Sequence, residues 1–191
     1  MRLVLLTIPT AVLAGLATGG RPTRLADLGL RLPFVAIAGV ALQVVPVPGA
    51  ASSVLLVASF GLLVVAAAWN ARRPGFVAIL VGLALNFLVI SLNGGMPVAE
   101  RALVNSGQRG TLGELRRAGG AKHHLAGPDD VLVVLADTIP IPPPVRQAVS
   151  PGDLLVYAGA FWFIVRGMRQ QGGVGSSVQL LDDRTVVEDP P

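Results

Sequence analysis

The chain contains no cysteine. Disulfides, thiolate nucleophiles and cysteine-based metal centres are therefore excluded, and the compartment has to be read from topology instead of redox chemistry. Histidine is scarce: the only two, His123 and His124, are neighbours. Adjacent positions of a helix or strand point apart, so one metal ion does not readily take both, and the Cx2C and HExxH spacings that mark strong metal sites are missing. Neither a metal nor a cofactor is expected. Lysine occurs once, at Lys122, and charged residues make up only 14% of the chain, against roughly a quarter in an ordinary soluble domain. No charged residue lies in the middle of an apolar run, which argues against an ion pump or a proton-coupled transporter.

What fills the chain instead is apolar. Of its 191 residues 52% are hydrophobic, and the mean hydropathy is +0.67. The net charge of +4 does not point to nucleic acid, because the arginines flank apolar runs and form no patch with interleaved aromatics. Such flanking charges set orientation in a bilayer. Arginine far outnumbers lysine, and alanine, glycine, valine and proline abound, a codon signature of a GC-rich bacterial genome.

Five apolar runs, residues 3–18, 32–47, 50–69, 76–92 and 153–168, have about the length and hydropathy of membrane spans. The first carries Ala11, Gly15 and Gly19 at intervals of four, a face that another helix can approach closely; a cleaved signal peptide is the alternative for this run. Pro46 and Pro48 close the second run, and Trp69 ends the third at an interfacial position. Arg21, Arg24 and Arg31 follow the first run, Arg72 and Arg73 the third, and Arg166 and Arg169 close the fifth, whereas the turn after the second has no charge. The positive-inside rule then places the protein in the bacterial inner membrane as a multi-pass protein, N-terminus outside and C-terminus cytoplasmic, with the loop 93–152 extracytoplasmic. Residues 1–169 form the membrane domain, and residues 170–191, rich in glycine and serine and then acidic, read as a flexible cytoplasmic tail.

The long loop holds most of the residues capable of chemistry. It opens with Asn93, Gly94, Gly95, Met96, Pro97 and Val98, where two glycines allow a close backbone approach and Pro97 suits the first turn of a short helix through Val104. The turn serves either to leave the membrane or to contact a ligand, which makes Asn93 to Pro97 candidate binding residues. Thr111 to Glu114 reads as a capping box opening a second short helix, with Arg116 and Arg117 placed to rest on lipid headgroups. Val131 to Ala136 is too short to span and reads as an interfacial dip or a packed strand. A stiff arm rich in proline follows, then a third short helix from Pro144 through Val149. Ser150, Pro151, Gly152 and Asp153 form a Ser-x-x-Asp capping box with proline at the first helical position, the start of the fifth span.

Asn93-Gly94-Gly95-Met96-Pro97-Val98, Leu135-Ala136-Asp137-Thr138-Ile139-Pro140 and Ser150-Pro151-Gly152-Asp153 resemble the marks of an uncharacterised family of small multi-span bacterial membrane proteins. The resemblance covers about residues 1–169 and implies a fold type without an activity.

Asp137 and Asp153 are the sharpest candidates for catalysis. Two carboxyls that share a proton can activate water for peptide hydrolysis, and Asp153 followed by an apolar span with Gly159 is similar to one aspartate segment of lipoprotein signal peptidase, although the rest of that enzyme's pattern is missing. The structural alternatives are a cap for Asp153 and a turn residue bonding local N–H groups for Asp137. Gln43 and Asn86 are polar within apolar runs, and Ala78, Gly82 and Asn86 share one face of the fourth. Asn86 either hydrogen-bonds another helix or lines a polar path beneath Asn93.

The fold expected is therefore all-α, a bundle of about five transmembrane helices with an outer cap of short interfacial helices. The leading functional expectation is a non-enzymatic component docking lipids, a membrane-protein partner or a second copy through that cap. A membrane-embedded aspartyl hydrolase and a small-solute transporter are the alternatives.

Overall fold

The computed structural model describes residues 2–47, 49–120 and 122–170. Each of the five apolar runs is helical: α1 (Arg2–Ala17), α2 (Pro33–Val44), α3 (Ala50–Trp69), α4 (Phe76–Asn93) and, after the loop, α7 (Pro151–Arg169). A helix satisfies every internal backbone group within its own segment, which is what an uncharged apolar run requires. Their packing order in space is α2, α3, α4, α7, α1, so the last helix lies between the first and the fourth. Gly94, at φ 66°, ends α4 in the left-handed conformation that glycine adopts without penalty.

Among the described residues two helices, α3 and α4, are long and apolar enough to cross a membrane. A third candidate joins α1 to the 3-10 helix Pro22–Leu28 across a bend of 110°. α2 is shorter than the expected second span, because Pro46 ends the helical ladder: its 12 residues reach about 18 Å. α7 carries Asp153, Arg166 and Arg169 at its ends, which lowers its hydropathy.

The arginine-bearing turns gather at one end of the bundle. Asn70 pairs with the Arg31 backbone in both directions, accepting its N–H at 2.9 Å and donating to its carbonyl at 2.8 Å. Arg73 donates to the carbonyls of Leu28 and Gly29, and the N–H of Arg21 donates to the Met168 carbonyl at 2.8 Å. Gly15 and Gly20 lie against the Met168 side chain, so α1 uses Ala11 and Gly15 of its small-residue face, while Gly19 faces open space.

The cap forms at the opposite end, and here the all-α expectation is corrected. The structure is mostly helical, but residues 94–150 contain four short strands: β1 (Met96–Val98), β2 (His123–Leu125), β3 (Ile139–Ile141) and β4 (Gln147–Val149). β1 and β2 pair in parallel, β3 and β4 antiparallel. Pro97 therefore lies in a strand, and the helix expected from it begins at Glu100 as α5 (Glu100–Asn105). The helix expected over 144–149 does not form: residues 143–145 make a turn and 147–149 a strand, paired through Val149 to Ile139. The Thr111 capping box does not form either. α6 (Arg109–Ala118) starts two residues earlier, because the turn after α5, closed by the Gln108 N–H on the Leu103 carbonyl at 2.8 Å, has already set its first turn. Residues 133–135 make a 3-10 turn instead of a strand. Two apolar clusters hold the cap: Met96 and Ala136 pack on Leu56 of α3 and on Val89 and Ile90 of α4, and Val98, Leu103 and Leu112 pack within the cap. Lys122 donates to the carbonyls of Gln43, in the last turn of α2, and of Val45, its C-cap, a cation at a helix C-terminus. The predicted tail from residue 171 onward lies outside the described residues.

Candidate functional site

α4 and α7 meet along a seam of small residues. A Cβ built on Gly159 would stand 2.5 Å from the Gly75 carbonyl oxygen, and one on Gly152 would stand 2.6 Å from that of Gly82 and closer still to Asn86 Oδ1. The backbones touch because neither side of these pairs has a side chain.

That approach brings Asn86, 1% exposed, to the first turn of α7. Its Nδ2 donates to Asp153 Oδ1 at 2.7 Å, and its Oδ1 accepts from Ser150 Oγ at 2.9 Å. Ser150 is also the N-cap. Its Oγ accepts the Asp153 N–H at 2.9 Å, and Asp153 Oδ2 accepts the Ser150 N–H at 3.3 Å, the two halves of the capping box. Asn86, Ser150 and Asp153 form one closed network in which both carboxylate oxygens of Asp153 are engaged. A polar side chain inside an apolar helix has to find partners, so Asn86 was recognisable from sequence; that its partner would be the cap of another helix was not.

Asp137 enters from the cap. Its N–H donates to the Pro97 carbonyl at 3.1 Å and its carbonyl accepts the Ala99 N–H at 3.1 Å, extending the β1 side of the small sheet. Its side chain is 10% exposed, and Oδ2 lies 3.9 Å from Nε2 of His123, which is 53% exposed. Oδ1 is buried and has no hydrogen-bond partner among the described residues, so Asp137 does not bond local N–H groups there as a turn residue does. Burial first, and then the charge of Asp153, push the Asp137 carboxyl well above the ordinary carboxylate range. The two carboxyls thus sense each other, yet no hydrogen bond joins them among the described residues. His123 is the neighbour of Asp137 that sequence reasoning did not pair with it.

The raised pKa has a signed consequence for stability. The folded chain holds the Asp137 proton more tightly than the unfolded chain, so this contribution is complete below about pH 4 and is lost as the pH climbs through the raised value. Thermal unfolding of the detergent-solubilised protein should therefore show a component of stability that declines with rising pH, and Asp137→Asn should remove that decline. A slope unchanged in the variant would refute the assignment.

The opening motif of the loop is committed to internal contacts. Asn93 Nδ2 donates to the carbonyls of Val89 and Val131 at 2.8 and 3.0 Å, and its Oδ1 accepts the Val131 N–H at 2.8 Å. Gly94 is the helix terminator, and a Cβ on Gly95 would crowd the Lys122 carbonyl oxygen at 3.2 Å. Met96 is 4% exposed, with its N–H on the Lys122 carbonyl at 2.9 Å, and Pro97 is fully buried. The structure joins Asn86 to Asp153, sets Asp137 against Pro97, Ala99 and His123 of the cap, and places Asn93 to Pro97 in the frame at that end of α4. The second histidine faces a different carboxylate: His124 Nε2 lies 2.9 Å from Asp130 Oδ1.

These features define a class, a mostly helical protein with two or three apolar helices long enough to cross a membrane and a small mixed cap over the α4–α7 junction. The chain belongs to the family of unknown function DUF5317, which it matches over residues 28–165, in agreement with the resemblance to an uncharacterised family. An uncharacterized protein of Thermotoga maritima is 35% identical over 121 residues, covering 62% of this chain and 67% of that protein. No solved structure matches the chain.

Proposed function

We propose that this is a non-enzymatic, multi-pass membrane protein that seats its extracytoplasmic cap on lipid. α1, α2, α3, α4 and α7 serve as five spans, the short α1 and α2 being accommodated by local thinning of the bilayer, with the N-terminus outside and the C-terminus cytoplasmic. The observation that carries the reading is the tip of the cap at residues 131–134. Leu132, at φ 55°, turns the chain so that Val131, Leu132 and Val134 are 47%, 40% and 74% exposed. Asn93 ties this tip to the end of α4. An apolar tip held at the end of a helix long enough to span belongs in the membrane interface, where its side chains leave water.

The hydrolase alternative needs a free second carboxylate, and Asp153 has both oxygens engaged by Asn86 and Ser150. Because the chain lacks cysteine, a single Val134→Cys variant can carry a polarity-sensitive fluorophore without background. In proteoliposomes its emission should be blue-shifted and quenched by shallow spin-labelled lipid, unlike the same label at the exposed Thr111 of α6. A water-like, unquenched spectrum at residue 134 would sink the lipid-seating reading, and labelling of that cysteine only from the cytoplasmic side would sink the orientation.

A further inference from the structure

α7 packs on α4 through Gly152 and Gly159, and on α1 and the 3-10 helix through Met168 and Gly167. Its remaining face carries Phe161, Trp162, Val165, Arg166 and Arg169, which line an open groove of about 260 Å³. Phe161, Val165 and Arg169 follow one another at helical spacing with Trp162 and Arg166 beside them, so the stripe is apolar along the helix and basic in its last turn. Trp162 is 58% exposed. The two arginines differ from others at this end of the bundle. Arg24 donates to the Met168 carbonyl at 3.5 Å and Arg73 to those of Leu28 and Gly29, so both close on the protein itself. Arg166 and Arg169 are exposed, and the ion pairs among the described residues, Arg116 with Glu100, His124 with Asp130 and His123 with Asp137, all lie in the cap. A guanidinium meets phosphate oxygens two at a time, and two guanidiniums within one helical turn can converge on a single headgroup. Trp162 stands about 6 Å nearer the middle of the helix than Arg166, a depth that suits an apolar ring with one N–H donor at the membrane interface.

We infer that this face of α7 binds an anionic phospholipid of the cytoplasmic leaflet, with Arg166 and Arg169 donating to its phosphate and one acyl chain lying along Val165 and Phe161. Charge selects the ligand. A zwitterionic headgroup brings its own ammonium to the phosphate, whereas a phosphatidylglycerol headgroup leaves that charge to be met by the arginines. The inference rests on the proposed reading of α7 as a span with a cytoplasmic C-terminus; the seating of the cap at residues 131–134 plays no part in it.

The chain holds two tryptophans, Trp69 and Trp162, so a Trp69→Phe form of the full chain in phosphatidylcholine vesicles reports from the groove alone. Brominated lipids quench the indole they touch. Brominated phosphatidylglycerol should associate with Trp162 at least about threefold more strongly than brominated phosphatidylcholine at the same fraction, and added salt should shrink that preference. Replacing both arginines, Arg166→Gln with Arg169→Gln, should bring the ratio to about one while quenching by brominated phosphatidylcholine stays unchanged. Equal quenching by the two lipids, a preference insensitive to salt, or a preference kept in the double variant would each overturn the site and leave the span reading standing; the first two are read without the double variant, should it fail to fold. Acrylamide, a quencher in water, separates the remaining outcomes. If it quenches Trp162 and neither lipid does, α7 lies in water and the span reading falls together with the site. If none of the three quenches, a second copy or the acidic residues 171–191 cover the groove, and the site alone falls.

Discussion

Gly152→Val should lower the unfolding midpoint by about 10 °C or more. The new Cβ would stand 2.6 Å from the Gly82 carbonyl oxygen and closer to Asn86 Oδ1. Neither the Gly82 backbone nor a helix already packed on both sides can retreat by the several tenths of an ångström required. Overpacking of this kind costs about 1–3 kcal/mol. Displacing Asn86 from Ser150 and Asp153 adds a further ~1–3 kcal/mol for buried groups left unpaired. In a chain of this size each kcal/mol moves the midpoint by about 2–4 °C. Gly152→Ala should show most of the loss, because the first carbon makes the clash. Gly110→Ala is the control: a Cβ there meets nothing within 4 Å, and the change should be neutral or slightly stabilising. Circular dichroism of purified variants in detergent decides it, and a Gly152→Val midpoint within 2 °C of the parent would mean the seam is looser than described.

Asn86→Ala carries the second large effect. It strips Asp153 Oδ1 of its 2.7 Å donor and Ser150 Oγ of its 2.9 Å acceptor, leaving the buried Ser150 hydroxyl unpaired and a part-buried carboxyl half-satisfied at a cost of about 1–3 kcal/mol. Asp153→Ala should cost a comparable amount through the lost cap. The double variant should lose clearly less than the sum of the two, because both remove the same network, with a coupling of about 1–3 kcal/mol. Strict additivity would show that the three residues do not act as a unit. Asn86→Asp sharpens the test by setting a second carboxyl against Asp153 Oδ1. Its destabilisation should be worst at pH 8 and ease as the pH falls and one carboxyl is protonated. A pH-independent loss would mean that the contact is only steric.

Elements whose cause is local were legible. The apolar helices follow from uninterrupted apolar runs. The N-cap of α7 follows from four consecutive residues, Ser150 to Asp153, whose own side chains and backbones make the box. Asn86 was legible as a polar residue requiring partners and Ala11 and Gly15 as a packing face, while Gly19 of the same stripe faces no helix. The cap was misread where its structure depends on distant partners. Pro97 starts helices as readily as it tolerates an edge strand, and the choice was made by the Lys122 and Leu125 region lying alongside it. Residues 147–149 were extended by pairing with 139–141 across the intervening prolines. Thr111 had the residues of a capping box, but the turn following α5 began the helix two residues before it.

The sequence by itself determined that the chain is apolar and helical, where its basic turns fall, that cysteine chemistry is absent, and that Asp137, Asp153 and Asn86 are its conspicuous polar residues. Those properties depend on composition and on spacing within single segments. Only the tertiary structure decided that Asn86 and Ser150 share Asp153, that Asn93 to Pro97 serve as frame, and that Asp137 is buried with one oxygen unpaired among the described residues. Those facts depend on the α4–α7 approach allowed by Gly82 and Gly152 and on strand pairings across the cap, and a contact between residues 64 or 67 positions apart leaves no local trace in the chain.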